Sequence, residues 1–397
     1  MTEVPNINSH LPAAGTFRTG RVVALSACHF IHDVYSSFLA PLLPLLIEKL
    51  SMSLTQAGLL STVMQIPSLL NPLIGFLADR RSVRYFIILA PVTTAVPMSL
   101  TGLAPNYGVL LILLFIAGIS VAAFHVPAPV MISQLSGDKK GKGMSFYMTG
   151  GEFARTIGPL VAVGMVSLLG LEGFYPIMIF GVMASAWLYF RFRDIPLNKG
   201  NPVRASLLST FLEMRYILLP LAGILIARGF MHASMTTFLP TFVEQETGNI
   251  WVAGFSLTAL EGVGVAAVFF SGTLSDRIGR RRILFVALLG APIAMFLFVL
   301  TGGPLRFFML LVTGFTLLST TPVMLAMVQE HAISSPAAAN GLFMMVSFLA
   351  RSAIVVIVGM IADCWGLHTT YLISAGMGLL GLPFILMLPC KSDKMSE

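Results

Sequence analysis

Charge is what this sequence has least of: only 10% of its 397 residues are Asp, Glu, Lys or Arg, against 56% that are hydrophobic. A water-soluble globule of this length would leave its surface unsolvated at that ratio, so composition excludes a soluble domain and places the chain in a bilayer. Cysteine is sparse too. Cys28, Cys364 and Cys390 have no metal-ligand spacing and read as small apolar residues rather than disulfide or zinc partners. No P-loop is present, because GDKKGKG (Gly137 to Gly143) lacks the required spacing and the following Ser or Thr; a nucleotide-driven pump is excluded. The polar stretch Met1 to Gly20 lacks the charged region, short apolar core and cleavage site of a signal peptide, so the first apolar run is expected to be retained. No cofactor and no resident metal are implied.

Long apolar runs are abundant. Twelve are long enough to span about 30 Å of hydrocarbon, and they are separated by short polar turns. The expected class is an all-α membrane protein with twelve transmembrane helices in two pseudo-symmetric six-helix bundles. The divisions are a tail over 1–20, a first bundle over 21–193, a linker over 194–213, a second bundle over 214–390 and a tail over 391–397. With segments assigned to alternating sides, 19 of the 24 Lys and Arg fall on one side, and only Lys49 and Arg306 fall opposite. The positive-inside rule then puts both termini in the cytoplasm, in a multi-pass protein of the cell membrane (the inner membrane in a Gram-negative cell). The net charge of +7 thus reflects insertion and attraction for membrane lipid, not nucleic acid.

A ten-residue pattern occurs twice, as GFLADRRSVR (Gly75 to Arg84) and GTLSDRIGRR (Gly272 to Arg281), 197 positions apart. Two further matches keep an offset of 196: Pro44 and Glu48 with Pro240 and Glu244, and Ala154, Arg155 and Thr156 with Ala350, Arg351 and Ser352. The chain is therefore read as two related halves that rock around a central cavity to give alternating access.

A charged side chain at the bilayer centre costs at least about 2.5 to 3.5 kcal/mol, so those that persist there are expected to face partners or a wet cavity. Six do: the acids Asp33, Glu152 and Glu261, and the bases Arg155, Arg228 and Arg351. Four histidines accompany them, His29, His32, His125 and His232. Helical spacing sets His29 with Asp33, Glu152 with Arg155, and Arg228 with His232 on shared faces. Three acids against three arginines suggest that each arginine is paired at rest, and that protonating a carboxylate releases one for an anionic substrate. The expected substrate-binding set is Arg155, Arg228, Arg351, His125 and His232. The expected proton-coupling set is Asp33, Glu152, Glu261, His29 and His32. The partners so implied are a small anion and protons.

On the duplicated loop the chain resembles the major facilitator superfamily, whose GxLxDRxGRR pattern is complete in the second copy and has Ser82 in place of glycine in the first. The resemblance implies transport rather than enzyme catalysis, and a gating role for Asp79, Arg80, Asp276, Arg277, Arg280 and Arg281, which would latch one face shut. HFIHD (His29 to Asp33), AFH (Ala123 to His125) and GGEF (Gly150 to Phe153) are similar to the fosmidomycin-resistance group of exporters. That likeness implies proton antiport of a phosphonate-like or carboxylate-like anion, by a drug or metabolite exporter acting as a monomer. Val126 after His125, and Glu152 with Arg155, depart from the group's pattern. The alternatives are a proton and organic-anion symporter for uptake, a divalent metal transporter using His29, His32, Asp33 and His232, a membrane-embedded hydrolase and a non-transporting sensor.

Overall fold

The computed structural model describes residues 16–71, 74, 84–193, 207–331 and 336–389. The first copy of the duplicated loop, with Asp79 and Arg80, lies outside the described residues, as do most of the linker and the tails. Among the described residues the chain is helical throughout, and ten stretches are long and apolar enough to cross a membrane. Two more complete the twelve. The second span runs over Leu54–Gln65 and continues as a 3-10 turn over Ile66–Leu70. The long stretch Pro336–Leu379 divides into the eleventh and twelfth spans at Gly366. The described part of the seventh helix begins at Leu207, ahead of the expected 214.

The two halves repeat each other at the level of the backbone. Gly170, which ends the fifth span, and Gly366, which ends the eleventh, stand 196 positions apart and share the same φ of 76° and ψ of 162°. Only glycine adopts that conformation without strain, so both bends are written into the sequence. Ser53 and Asn249, also 196 apart, cap the second and eighth spans by accepting backbone N–H bonds.

Among the described residues helix is interrupted within the first, fourth, seventh and tenth spans, besides the 3-10 end of the second. Helix stops between Thr19–Ser36 and Leu39–Leu50 in the first, and between Tyr107–His125 and Pro127–Leu135 in the fourth. The seventh carries a π-helical turn at Ser234–Phe238, and the tenth breaks between Gly303–Leu318 and Thr320–His331. Interrupted backbone at membrane depth is tolerated where it lines a cavity or is packed in protein, so these breaks locate the working region.

Packing shows which side is closed. One apolar cluster joins both halves, with Phe38 and Leu43 from the first and Phe242 and Met235 from the second. It lies toward the face of Lys49 and Arg306. Nearer the basic loops the core separates into one cluster per half, around Leu135 and Phe192 in the first and around Met214 and Met327 in the second. The halves are thus shut on the sparse face. Asp363 there accepts hydrogen bonds from the Leu54 and Thr55 backbone N–H groups, at 2.7 and 2.9 Å, and from the Thr55 hydroxyl. An anion at a helix N-terminus gains from the helix dipole as well as from the bonds. Lower on the same seam a Cβ at Gly359 would come within 2.5 Å of the Leu54 carbonyl oxygen. On this face Lys49 pairs with Glu172 at 2.7 Å, and the ammonium draws the Glu172 carboxyl below its usual range. Arg306 pairs with Glu246.

Asp363→Ala is expected to weaken closure of this face by about 1–2 kcal/mol, a roughly 5- to 30-fold change in population. Gly359→Val is expected to act in the same direction through steric conflict. Pulsed electron resonance distances between labels at Leu103 and Gln245 test both on a background without other cysteines. A second, longer population is expected in each variant, and an unchanged distribution would refute the clamp.

Candidate functional site

Three charged groups sit midway along the spans, two of them on interrupted ones. The first surrounds Asp33, four residues before the break in the first span. His32 Nδ1 donates to Asp33 Oδ1 at 2.8 Å, His29 Nε2 lies 3.1 Å from Oδ2, and His125 Nε2 lies 3.3 Å from Oδ1. His29 in turn donates from Nδ1 to the Tyr147 carbonyl oxygen at 2.8 Å and stacks on the Tyr147 ring at 4.0 Å. His32 is fully buried and stacks on Phe124 at 4.5 Å. The GG of the fifth span is what lets it approach so closely. A Cβ at Gly151 would fall 2.6 Å from His29 Cε1, and one at Gly150 would fall 2.5 Å from the Ser26 carbonyl oxygen.

The second group lies between the halves. Arg155 bonds Glu152 one turn away, as their spacing predicts. Its side chain is 49% exposed although it stands midway along a spanning helix, so a hollow reaches the middle of the molecule. Glu261, on the eighth span, and Asp33 are both within Coulombic range of this guanidinium.

The third group belongs to the second half. Arg228 is 5% exposed and donates to the Thr321 hydroxyl at 3.0 Å, while its Nε and His232 Nδ1 have no hydrogen-bond partner in the protein. Arg351 lies with its guanidinium over the Phe348 ring, 5.1 Å from the centroid. Arg228, Arg351 and Arg155 are within Coulombic range of His232.

These contacts change the expected pairing. Of the three arginines within the spans, only Arg155 has a carboxylate partner among the described residues, whereas Arg228 and Arg351 have none there and Asp33 faces the three histidines. The balance of three acids and three bases holds in number but not in space. The ligand set for divalent metal transport is also divided, since His232 lies with the arginines and His125 joins His29 and His32 instead. At the second duplicated loop Asp276 pairs with Arg280 at 2.5 Å, and Arg280 also bonds Glu330 at 2.9 Å. Arg281 donates to the Leu386 and Leu388 carbonyl oxygens. Each of these bonds stays within the second half, as expected for a neighbouring pair rather than a contact across the bundles. Residues that sequence reasoning missed are Tyr147, Thr321 and Asp363. Tyr147 lies one turn before Gly151, on the face that the GG motif presses against the first span. Asp363 was marked only by being an acid at a span end.

The Major Facilitator Superfamily model matches residues 25–355. The fosmidomycin resistance protein of Escherichia coli K12 is 25% identical over 374 residues, covering 91% of each chain. Multidrug resistance protein MdtG of Yersinia enterocolitica is 25% identical over 272 residues, covering 65% of this chain and 66% of that one. A bacterial homologue of the human lysosomal transporter Spinster, solved inward-facing and unoccupied, superposes with a TM-score of 0.77 at 16% identity, covering 94% of this chain and 96% of that one.

Arg228, buried, and Arg351, half-buried, have no counter-ion among the described residues and repel each other, and Arg228 has an unsatisfied donor. Arg228→Met is therefore expected to raise the melting temperature in anion-free detergent buffer, by relief on the order of 1 kcal/mol. A fall in melting temperature would show that Arg228 holds the fold rather than the site.

Proposed function

Because the chain belongs to the Major Facilitator Superfamily, whose members are transporters and not enzymes, we propose that it is a proton-coupled exporter of small organic anions of phosphonate or carboxylate type. The observation that carries this reading is the state of Arg228. It is a buried guanidinium with no carboxylate partner among the described residues and with an unsatisfied Nε. A planar fork of donors suits an oxyanion, and an anion would supply the charge the protein leaves out. Arg351 and His232 add positive charge and donors at the same place, and His125 adds an exposed ring on the facing half.

Coupling follows from Arg155. It is within Coulombic range of Asp33, Glu152 and Glu261 on one side, and of His232 and Arg351 on the other. Protonation of Asp33, Glu152 or Glu261 weakens the hold on Arg155 and strengthens its pull on an anion; ionisation reverses both. Proton and anion occupancy are thereby linked, and linkage makes each change the affinity for the other by the same factor. Export is the direction suggested by the two resistance-protein relatives. The basic loops face the cytoplasm, so a state closed on the sparse face admits substrate from inside. Asp276, Arg277, Arg280 and Arg281, with Asp79 and Arg80 in the first copy of the loop, gate that inner face. The unit is a single chain in the cell membrane.

Everted membrane vesicles with an acidic lumen test the reading. Fosmidomycin and other small phosphonates are expected to collapse the pH gradient with wild-type protein and to leave it intact with Asp33→Asn. Arg351→Gln is expected to raise the half-saturating anion concentration at least about tenfold, the loss of roughly 1.4 kcal/mol of binding. A folded protein that leaves the gradient untouched with every phosphonate and carboxylate tried would overturn the proposal. A gradient that drives accumulation in intact cells would replace export by uptake.

A further inference from the structure

The ring of His29 is held in one tautomer. A carbonyl oxygen only accepts, so the 2.8 Å contact with Tyr147 O fixes the proton on Nδ1 and leaves Nε2 of the neutral ring as a bare lone pair. That lone pair lies 3.1 Å from Asp33 Oδ2, and Nε2 makes no hydrogen bond. Two electron-rich atoms held this close repel unless a proton or a cation is shared between them. A proton answers one such contact. A metal ion answers it and also draws in a third residue, because His125 Nε2 comes in from the fourth span 3.3 Å from the other oxygen of the same carboxylate. The donor atoms of His29, Asp33 and His125 all lie within 4.8 Å of one another.

We propose that His29, Asp33 and His125 form a Zn²⁺ site. Its donors are two imidazole nitrogens and one carboxylate oxygen, the set that suits this ion. Around tetrahedral Zn²⁺ with bonds of about 2.0–2.2 Å, neighbouring donors stand about 3.3–3.5 Å apart, close to the 3.1 Å between His29 Nε2 and Asp33 Oδ2, while His125 Nε2 faces the other oxygen of that carboxylate at 3.3 Å. Both buried ligands already have the outer partners that orient metal ligands: the Tyr147 carbonyl holds His29, and His32 holds Asp33 through Oδ1 at 2.8 Å. Gly151 leaves the flank of His29 Nε2 and Asp33 Oδ2 clear, since a Cβ there would stand 2.8 and 3.2 Å from those atoms. The local charge is also suitable, for Arg155 is neutralised by Glu152 while Asp33 has no arginine of its own. Three protein ligands leave a fourth position for water. His125, with 37% of its side chain exposed, is the ligand that closes on the ion and releases it. A bound ion holds Asp33 ionised, so the site gives a divalent metal direct access to the group on which proton coupling is proposed to rest.

The test measures binding alone and so stands apart from any result on transport. Full-length protein in detergent, with its affinity tag removed, is titrated with Zn²⁺ against a chromophoric chelator. One ion per chain is expected, with affinity reduced at least about tenfold in His29→Ala and in His125→Ala. Co²⁺ is expected to give the visible bands of a four-coordinate site in the wild type and to lose them in both variants. Melting curves without metal confirm that the variants are folded, and His125→Ala, at an exposed ring, disturbs packing least. Cys364 and His368, exposed and four residues apart, are an alternative pair of ligands, so Cys364→Ser is run beside them. Absence of binding, binding that survives in both histidine variants, or binding that leaves with Cys364 would each overturn the site.

Discussion

A carboxyl group in the middle of a bilayer has to be answered by polar groups that come with the chain, and around Asp33 those groups are imidazoles, with His32 donating to it directly. Much of the first half is arranged to bring them there. The first span supplies two rings, the fourth supplies a third at its break, and the fifth supplies a carbonyl that holds one ring in place. The fifth span reaches that position because two consecutive glycines let its backbone lie against the first. Because the histidines take Asp33, the arginines of the second half are left without it, and the electropositive character of the cavity follows from that division.

The same economy of parts runs through the pseudo-symmetry. The four interrupted spans each bring a polar group to the centre: Asp33 and His125 in the first half, His232 and Thr321 in the second. A continuous helix would bury its backbone groups in its own hydrogen bonds and present only side chains. Bends also stand at related positions in the two halves, at Gly170 and Gly366. The shared cluster around Phe38 and Phe242, set against the separate clusters nearer the basic loops, joins the halves on one face and leaves them apart on the other.

The architecture was legible because span length, loop charge and an internal repeat are all one-dimensional signals. The offset of 196 between Arg155 and Arg351 reappears as identical backbone at Gly170 and Gly366. Pairs within one helix were equally plain, as with Glu152 and Arg155, or His29 and Asp33. Partnerships between helices were not. Nothing in spacing says that His125 approaches Asp33 rather than an arginine, or that His232 lies with Arg228 and Arg351. Those choices depend on helix rotation, and rotation is set by packing at positions such as Gly150 and Gly151 whose effect is felt only in three dimensions. Thr321 left no trace in the sequence, since a hydroxyl in an apolar span is more often bonded to its own helix.

The grip of Asp363 on the second span has an evolutionary side. Two of its three bonds are to main-chain N–H groups, which every residue except proline possesses. Replacing the side chains of Leu54 or Thr55 leaves those donors in place, so the partner strand of this lock is nearly invisible to mutation. Asp363 loosens it by losing its acceptors, and Gly359 on the same seam by gaining bulk. A lineage built on this scaffold can therefore retune how long this face stays shut by altering a position or two on the seam, without touching the groups around Asp33.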